Sequence, residues 1–267
     1  MKKEYQHRAR KRFGQNFLND EGVITQIARA INARADQHLV EIGPGKGALT
    51  RELLAGGCRL DAIELDRDLV TILKTSFVDH TQFTLHNADA LSFDFAQLIP
   101  PGQRIIVVGN LPYNISTPLI LKMLENIQLI EDMYFMLQLE VVNRLAAKPG
   151  NKAWGRLGVI SQYHCQVENL FEVPATAFFP VPKVQSAMVK LSPYKHRPYP
   201  EVDLDILKKV VKTAFNQRRK ILRNNLREMI TAEKLNTLGI DPSTRAETLE
   251  LTQFVNIANH VSQSDKR

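Results

Sequence analysis

The 267-residue sequence holds only two cysteines and one tryptophan. It has no apolar run near the roughly 18 residues of a membrane-spanning helix. Cys58 and Cys165 are too few for a disulfide framework and stand in no CxxC or Cys/His cluster, so structural zinc and dithiol chemistry drop out. The seven histidines show no ligand spacing, and no metal is expected. Residues 1–12 (MKKEYQHRARKR) lack the apolar stretch of a secretory signal, which gives a cytoplasmic expectation with no membrane partner. A disordered polyelectrolyte is excluded by the 44% apolar composition.

What is present in excess is positive charge, and it is unevenly placed. The formal net charge is +7. Residues 1–12 carry six basic and one acidic side chain, and residues 203–230 carry eight and three. Residues 13–202 hold 17 basic and 19 acidic side chains, a nearly neutral body. Two basic blocks flanking such a body suit a protein that grips a polyanion with appendages, although two solvated faces would look the same.

Apolar runs of strand length alternate with stretches of helix length, which predicts parallel βαβ units. The candidate strands are Leu39–Gly43, Leu60–Glu64, Phe83–His86, Arg104–Val108 and Met133–Leu139, with crossover helices at Ala48–Leu54 and Leu69–Thr75. The expected fold is α/β: a doubly wound, mostly parallel, Rossmann-like sheet over residues 1–198, followed by a smaller all-α domain over residues 199–267. Character changes at the proline-rich HRPYP segment after Lys195. Beyond it Leu207, Val210, Val211, Ala214, Leu222, Leu226 and Ile230 recur at helical spacing. Gly239 to Pro242 reads as a turn, and the polar tail is expected to fray from Ser262.

The first candidate strand runs into Glu41-Ile42-Gly43-Pro44-Gly45-Lys46-Gly47 and then a helix. Glycines at such a turn let backbone approach a ligand, and an acid some 20 residues later can take ribose hydroxyls. Glu64 stands in that place. Both features suit a nicotinamide cofactor as well as S-adenosylmethionine, but the spacing is GxGxG rather than GxGxxG, and a Walker loop fails because Gly47 replaces the required Ser or Thr. Asp89, after the third strand, is either a ligand for an adenine amino group or a helix cap.

Asn110-Leu111-Pro112-Tyr113 follows the fourth strand and is the most specific signal. The exocyclic amine of adenine is a poor nucleophile because its lone pair is conjugated into the ring. An Asn oxygen and a backbone carbonyl that both accept from its hydrogens draw N6 toward tetrahedral geometry. Proline stiffens the backbone that presents the carbonyl, and a tyrosine face stacks on the base. The remaining work is positioning, with N6, the methyl carbon and the sulfonium sulfur in line. Alone, the tetrapeptide is a turn with an aromatic anchor; beside a glycine-rich cofactor turn it points to an amino-methyltransferase.

From His7 to about Leu226 the sequence resembles the small-subunit ribosomal RNA adenine dimethyltransferase family, the kasugamycin-sensitivity type. Arg12 to Leu18 resembles the amino-terminal signature, Glu41 to Gly47 the first methyltransferase motif, and NLPYNISTPL from Asn110 the catalytic motif. Phe178, Pro180, Pro182, Lys183, Val184 and Ser186 are similar to the base-binding segment, and AFNQRRKILRNNL from Ala214 to the hallmark of the carboxyl-terminal domain. The resemblance implies transfer of four methyl groups from S-adenosylmethionine to two adjacent adenines in a hairpin near the 3′ end of small-subunit (16S) ribosomal RNA, in an immature ribosomal particle during ribosome biogenesis.

It implies a cofactor site of Asn16, Leu18, Gly43, Glu64, Asp89 and Asn110. Asn110 and the carbonyl of Leu111, stiffened by Pro112, would orient the amine, and Tyr113 and Phe178 would sandwich a flipped base. Phe179 and Val181 are variable slots and receive no role. Arg8, Arg10, Lys11 and Arg12 form a candidate RNA-binding arm beside the cofactor site. Arg218, Arg219, Lys220, Arg223 and Arg227 form a second RNA-binding group. Trp154 is placed either in a loop near the cleft or in a core. A monomer is expected. A large-subunit adenine methyltransferase, a DNA adenine methyltransferase and an assembly factor whose binding outweighs its chemistry are the competing readings.

Overall fold

The computed structural model describes residues 15–264. The first strand, β1 (Phe17–Leu18), precedes helix α1 (Glu21–Ile31). Asp20 caps α1 by accepting the Val23 N–H at 3.0 Å, and Asn32 ends it in the left-handed conformation (φ 51°). Then come β2 (His38–Ile42), α2 (Ala48–Ala55), β3 (Arg59–Glu64), α3 (Arg67–Ser76), β4 (Phe83–Asn87), β5 (Ile105–Asn110), α4 (Ser116–Glu125) and β6 (Ile130–Gln138). Helices α5 (Leu139–Ala146) and α6 (Arg156–His164) precede β7 (Cys165–Val173), β8 (Phe178–Phe179) and β9 (Ser186–Pro193). The carboxyl-terminal helices are α7 (Leu204–Ala214), α8 (Leu222–Leu226), α9 (Ala232–Thr237) and α10 (Leu251–Ser264).

Among the described residues, seven strands form one sheet in the order β4-β3-β2-β5-β6-β9-β7. Strands β2 to β6 pair in parallel, and β9 joins β6 antiparallel. The expected Rossmann-like, mostly parallel α/β sheet is therefore present, and its five predicted strands fall on β2 to β6. Their apolar runs are continuous because both faces of the sheet are covered. Leu39, Leu60, Ile106, Val108 and Met136 share one cluster with Ile27, Ile31, Leu53 and Leu73 of α1, α2 and α3. The alternate residues Val40, Ile63, Ile105, Val107, Met133 and Phe135 are buried as well, which places them on the opposite, equally covered face.

The chain divides into two compact units. The first comprises residues up to Val142 with Glu168–Pro193, and the second comprises Asn143–Val167 with Tyr194–Arg267. Segment 143–167 thus groups with the carboxyl-terminal helices, which the composition change after Lys195 did not reveal. In the second unit, all seven residues of the helical pattern are buried, α10 packs on α7, and Phe254, Val255 and Ala258 of α10 are buried. Trp154 is a core residue of this unit: it is 1% exposed, and its Nε1 donates to the Leu249 carbonyl at 3.0 Å. Gly239 takes φ 71° in the expected turn. Helix α10 continues through Ser264, past the point where fraying was expected at Ser262. Among the described residues, no helix is long and apolar enough to cross a membrane, and no group of His, Cys, Asp and Glu is arranged to hold a metal.

One buried polar cluster joins three neighbouring strands. Asp61 of β3 is 1% exposed and contacts His38 Nε2 of β2 at 2.7 Å and His86 Nε2 of β4 at 2.6 Å. Burial pushes the Asp61 carboxyl upward, but the two histidine hydrogen bonds outweigh it and hold the pKa below its ordinary 3.8. A folded-state value below the unfolded one means that this stability is present above the ordinary carboxylate range and is lost as pH falls through it. Denaturant titrations should show the wild type losing stability steeply on acidification below about pH 4. Asp61→Asn should cost about 3–5 kcal/mol at neutral pH and flatten that acid limb. An unchanged midpoint would show that the cluster contributes nothing.

Candidate active site

Because β2 to β5 run in parallel, their carboxyl ends lie at one edge of the sheet, where ligands of such folds bind. The register aligns Ile42 with Ile63, Glu64 with Asn87 and Glu41 with Val108. Four segments leave the sheet there: Gly43–Gly47, Glu64–Asp66, Asn87–Asp89 and Asn110–Tyr113. They surround a cleft of about 300 Å³.

The glycine turn is held by its own backbone. Gly43 N–H donates to the Ile63 carbonyl at 2.9 Å, and Gly47 N–H to the Pro44 carbonyl at 2.9 Å. Gly43, Gly45 and Gly47 have φ of 69°, 60° and 81°, the left-handed region that other residues enter at a cost. Space is short too: a Cβ on Gly47 would fall 2.5 Å from Phe77 Cε2. Glu64 is 6% exposed, and its two oxygens accept from Gly45 N–H at 3.3 Å and Asp66 N–H at 2.8 Å. Burial raises its pKa, and those N–H bonds work in the opposite direction. The carboxylate is therefore fixed in place at the end of β3. Asp89 accepts the Leu91 N–H on Oδ1 at 2.9 Å, so it caps its own turn and also lines the cleft.

Asn110 ends β5. Its Nδ2 donates to the Asn16 backbone carbonyl at 3.0 Å, which leaves Oδ1 as the accepting end of the amide. Leu111 N–H donates to the Met136 carbonyl at 3.2 Å, and the Pro112 carbonyl accepts from Ile115 and Ser116 at 3.1 and 3.2 Å, so the turn continues directly into α4. Tyr113 is steadied by a hydrogen bond of 3.2 Å between its hydroxyl and Ser186 Oγ of β9.

Asn16, Leu18, Gly43, Glu64, Asp89, Asn110, Leu111, Pro112 and Tyr113 all line this one cleft. Phe178 does not. It is 2% exposed and packs in the core with Tyr134 and Met188, so it presents no face to a base in this structure. The reason is the pleat. Strand β8 pairs antiparallel with β1, Leu18 against Phe178 and Phe17 against Phe179; one member of β8 turns inward and the next, Phe179, is left 65% exposed. Arg218, Arg219, Lys220, Arg223 and Arg227 are exposed residues of the second unit. Arg218 donates to the Lys152 carbonyl and lies 3.3 Å from Glu247, and Arg227 lies 3.7 Å from Glu228. Arg8, Arg10, Lys11 and Arg12 fall outside the described residues.

Phe17, Gln15 and Glu41 are cleft residues that had received no individual role from sequence. Phe17 packs against Gly45 and beneath Lys46, whose Nζ stands 5.2 Å from the ring centroid. Gln15 Nε2 donates to Asp66 at 3.1 Å. Glu41, 2% exposed, accepts from Thr50 Oγ1 at 2.6 Å. Its position at the end of an apolar strand was the available signal.

A family profile described as "Ribosomal RNA adenine dimethylase" matches residues 6–263. The chain belongs to the ribosomal RNA adenine dimethylase family. It is 56% identical over 263 residues to Ribosomal RNA small subunit methyltransferase A of Pseudomonas aeruginosa, covering 98% of each chain. The protein of that name in Hahella chejuensis is 57% identical over 255 residues, covering 96% of this chain and 93% of the other. Among solved structures, the 23S rRNA methyltransferase ErmE superposes with a TM-score of 0.73 at 26% identity, over 93% of this chain and 100% of its own. A dimethyladenosine transferase from Plasmodium falciparum has a TM-score of 0.80 at 22% identity, over 93% of this chain and 98% of its own, a likeness of fold.

The methyl donor of this dimethylase is S-adenosylmethionine. The residues present fit it. Among the described residues, Glu41, Glu64 and Asp89 line the cleft against Lys46 as the one basic lining residue, which favours a cationic ligand, and the positive-φ glycines let the turn come close to it. Glu41 has its pKa pushed up to about 7, first by burial and further by the charge of Glu64, with the Thr50 hydrogen bond opposing. Its ionised form favours a sulfonium over a neutral thioether. The affinity ratio of S-adenosylmethionine to S-adenosylhomocysteine should therefore rise as pH passes upward through about 7. Calorimetric titration of wild type and Glu41→Gln measures this; a pH-independent wild-type ratio contradicts it.

Proposed function

We propose that the protein transfers methyl groups from S-adenosylmethionine to N6 of two adjacent adenines in a hairpin near the 3′ end of 16S ribosomal RNA, four transfers in all, within an immature small-subunit particle. It acts as a cytoplasmic monomer. The small-subunit assignment rests on full-length identities of 56% and 57% to proteins named for that subunit, against 26% to a large-subunit enzyme.

The observation that carries the chemistry is the Asn110 amide, held by the Asn16 carbonyl with its oxygen free to accept. Asn110 Oδ1 and the Leu111 carbonyl accept the two N6 hydrogens, and this pairing turns the nitrogen lone pair out of conjugation with the ring. Pro112 keeps the Leu111 carbonyl from swinging away. Tyr113, braced by Ser186, stacks on the base once it leaves its own helix. Phe178 supports this site from below: it packs in the core cluster against which Leu18 of the cleft wall rests. Bound S-adenosylmethionine supplies a methyl group on a sulfonium, which departs as a neutral thioether. The methylated nitrogen is left positively charged and returns a proton to water, so the chain needs no strong base. After one transfer a single N6 hydrogen remains, and one acceptor of the pair is enough to orient it for the second.

Glu64 takes the ribose hydroxyls, Asp89 the adenine amino group, and Asn16, Leu18 and Gly43 complete the cofactor wall. The exposed residues Arg218, Arg219, Lys220, Arg223 and Arg227, together with Arg8, Arg10, Lys11 and Arg12, meet RNA phosphates.

The test incubates the protein with labelled S-adenosylmethionine and either immature small subunits or naked large-subunit RNA, followed by nucleoside analysis. Label is expected as dimethyladenosine in small-subunit RNA; label confined to large-subunit RNA overturns the assignment. Asn110→Ala should bind particles normally yet turn over about 100-fold more slowly or worse, the scale of losing one preorganised polar contact in a transition state. Wild-type turnover would remove Asn110 from the mechanism.

A further inference from the structure

Lys122 of α4 is not among the residues that line the cleft. Its ammonium donates to three backbone carbonyls, Ala90 at 3.1 Å, Leu91 at 2.7 Å and Phe93 at 2.5 Å. Three acceptors use all three of its protons. The ring of Phe95, 5.3 Å from Nζ, covers the ammonium. Burial pulls the Lys122 pKa below 10.5, and the charges of Asp89 and Asp94 act against that shift. All three carbonyls belong to the turn that Asp89 opens: the Ser92 and Phe93 N–H groups donate to the Asp89 carbonyl at 3.0 and 2.9 Å, and the Asp89 side chain takes the Leu91 N–H.

The other end of α4 grows out of the Asn110–Tyr113 turn. Ile115 and Ser116 N–H groups meet the Pro112 carbonyl, and Ser116 Oγ donates to the Tyr113 carbonyl at 3.2 Å. One rigid helix of ten residues therefore has the target-base turn at its start and the Asp89 turn clamped to its last turns.

We propose that Lys122 is a positioning residue that fixes the Asp89 turn at the height where Asp89 recognises the adenine amino group of the cofactor. The proposal rests on the reading of Asp89 given above. A lysine whose role is only to stabilise the fold would weaken all ligands alike when replaced. Lys122 as a positioning residue specifically controls discrimination at the 6-position of the purine.

The experiment compares equilibrium affinities for S-adenosylhomocysteine and S-inosylhomocysteine, which differ in carrying an amino or a keto group there. Wild type is expected to prefer the adenosine form by about tenfold or more, the value of a hydrogen bond to a charged group. Lys122→Met should lose most of that preference. Lys122→Gln keeps a neutral donor and tolerates the site if the methionine variant does not fold, and should give an intermediate ratio. A wild-type ratio in either folded variant overturns the proposal. Asp89→Ala separates the two ideas: loss of preference there, with retention in the Lys122 variants, defeats Lys122 alone, and retention in Asp89→Ala defeats the Asp89 reading and the proposal together.

Discussion

The parallel pairing of β2 with β5 is the constraint on which the site depends. It sets Glu41 beside Val108, so the chain that leaves β2 as a glycine turn and the chain that leaves β5 as Asn110–Tyr113 emerge side by side. The approach is close enough that Gly109 tolerates no side chain: a Cβ there would fall 2.7 Å from the Ile42 carbonyl. In the proposed mechanism a cofactor held by the first turn and a base held by the second are brought together, since neither turn can move without breaking a ladder of buried backbone hydrogen bonds. The crossover order supplies the rest, because β3 and β4 continue the same parallel edge and bring Glu64 and Asp89 to it.

Much of this was legible in the sequence, for identifiable reasons. Strands buried on both faces read as unbroken apolar runs, and Ile105–Val108 has no other use. The glycine spacing, Glu64 and Asn110–Tyr113 each sit directly after such a run, so locating the strands brought these residues to one cleft. What escaped was set by pairings between distant segments. Phe17 and Leu18 are too short to read as a strand; they become one through β8, which is remote in sequence. The same ribbon decides that Phe178 faces the core and Phe179 faces out, a choice of pleat that no local pattern of two adjacent phenylalanines encodes. The His38–Asp61–His86 cluster likewise exists only once three strands are in register, and segment 143–167 joins the helical unit through packing rather than through composition.

The distribution of charge acquires a sharper meaning beside the geometry. Among the described residues, the cleft in the near-neutral body is lined by three carboxylates and one lysine, which suits a small cation, while the exposed arginines of α8 and its approach stand in the other unit, where the proposal has them meet RNA phosphates. A carboxylate-lined cleft disfavours phosphate, which in the proposed reaction suits the entry of an extruded, uncharged base.

In the proposed mechanism the Asn16 carbonyl sets the Asn110 amide so that its oxygen meets the target amine. A crystal structure of the protein with S-adenosylhomocysteine and a small-subunit RNA hairpin tests this most directly. Adenine N6 is expected within about 3.2 Å of Asn110 Oδ1 and of the Leu111 carbonyl, with the Asn16 bond to Nδ2 intact. An extruded adenine whose N6 lies away from Asn110, or an amide turned so that Nδ2 faces the base, would contradict it.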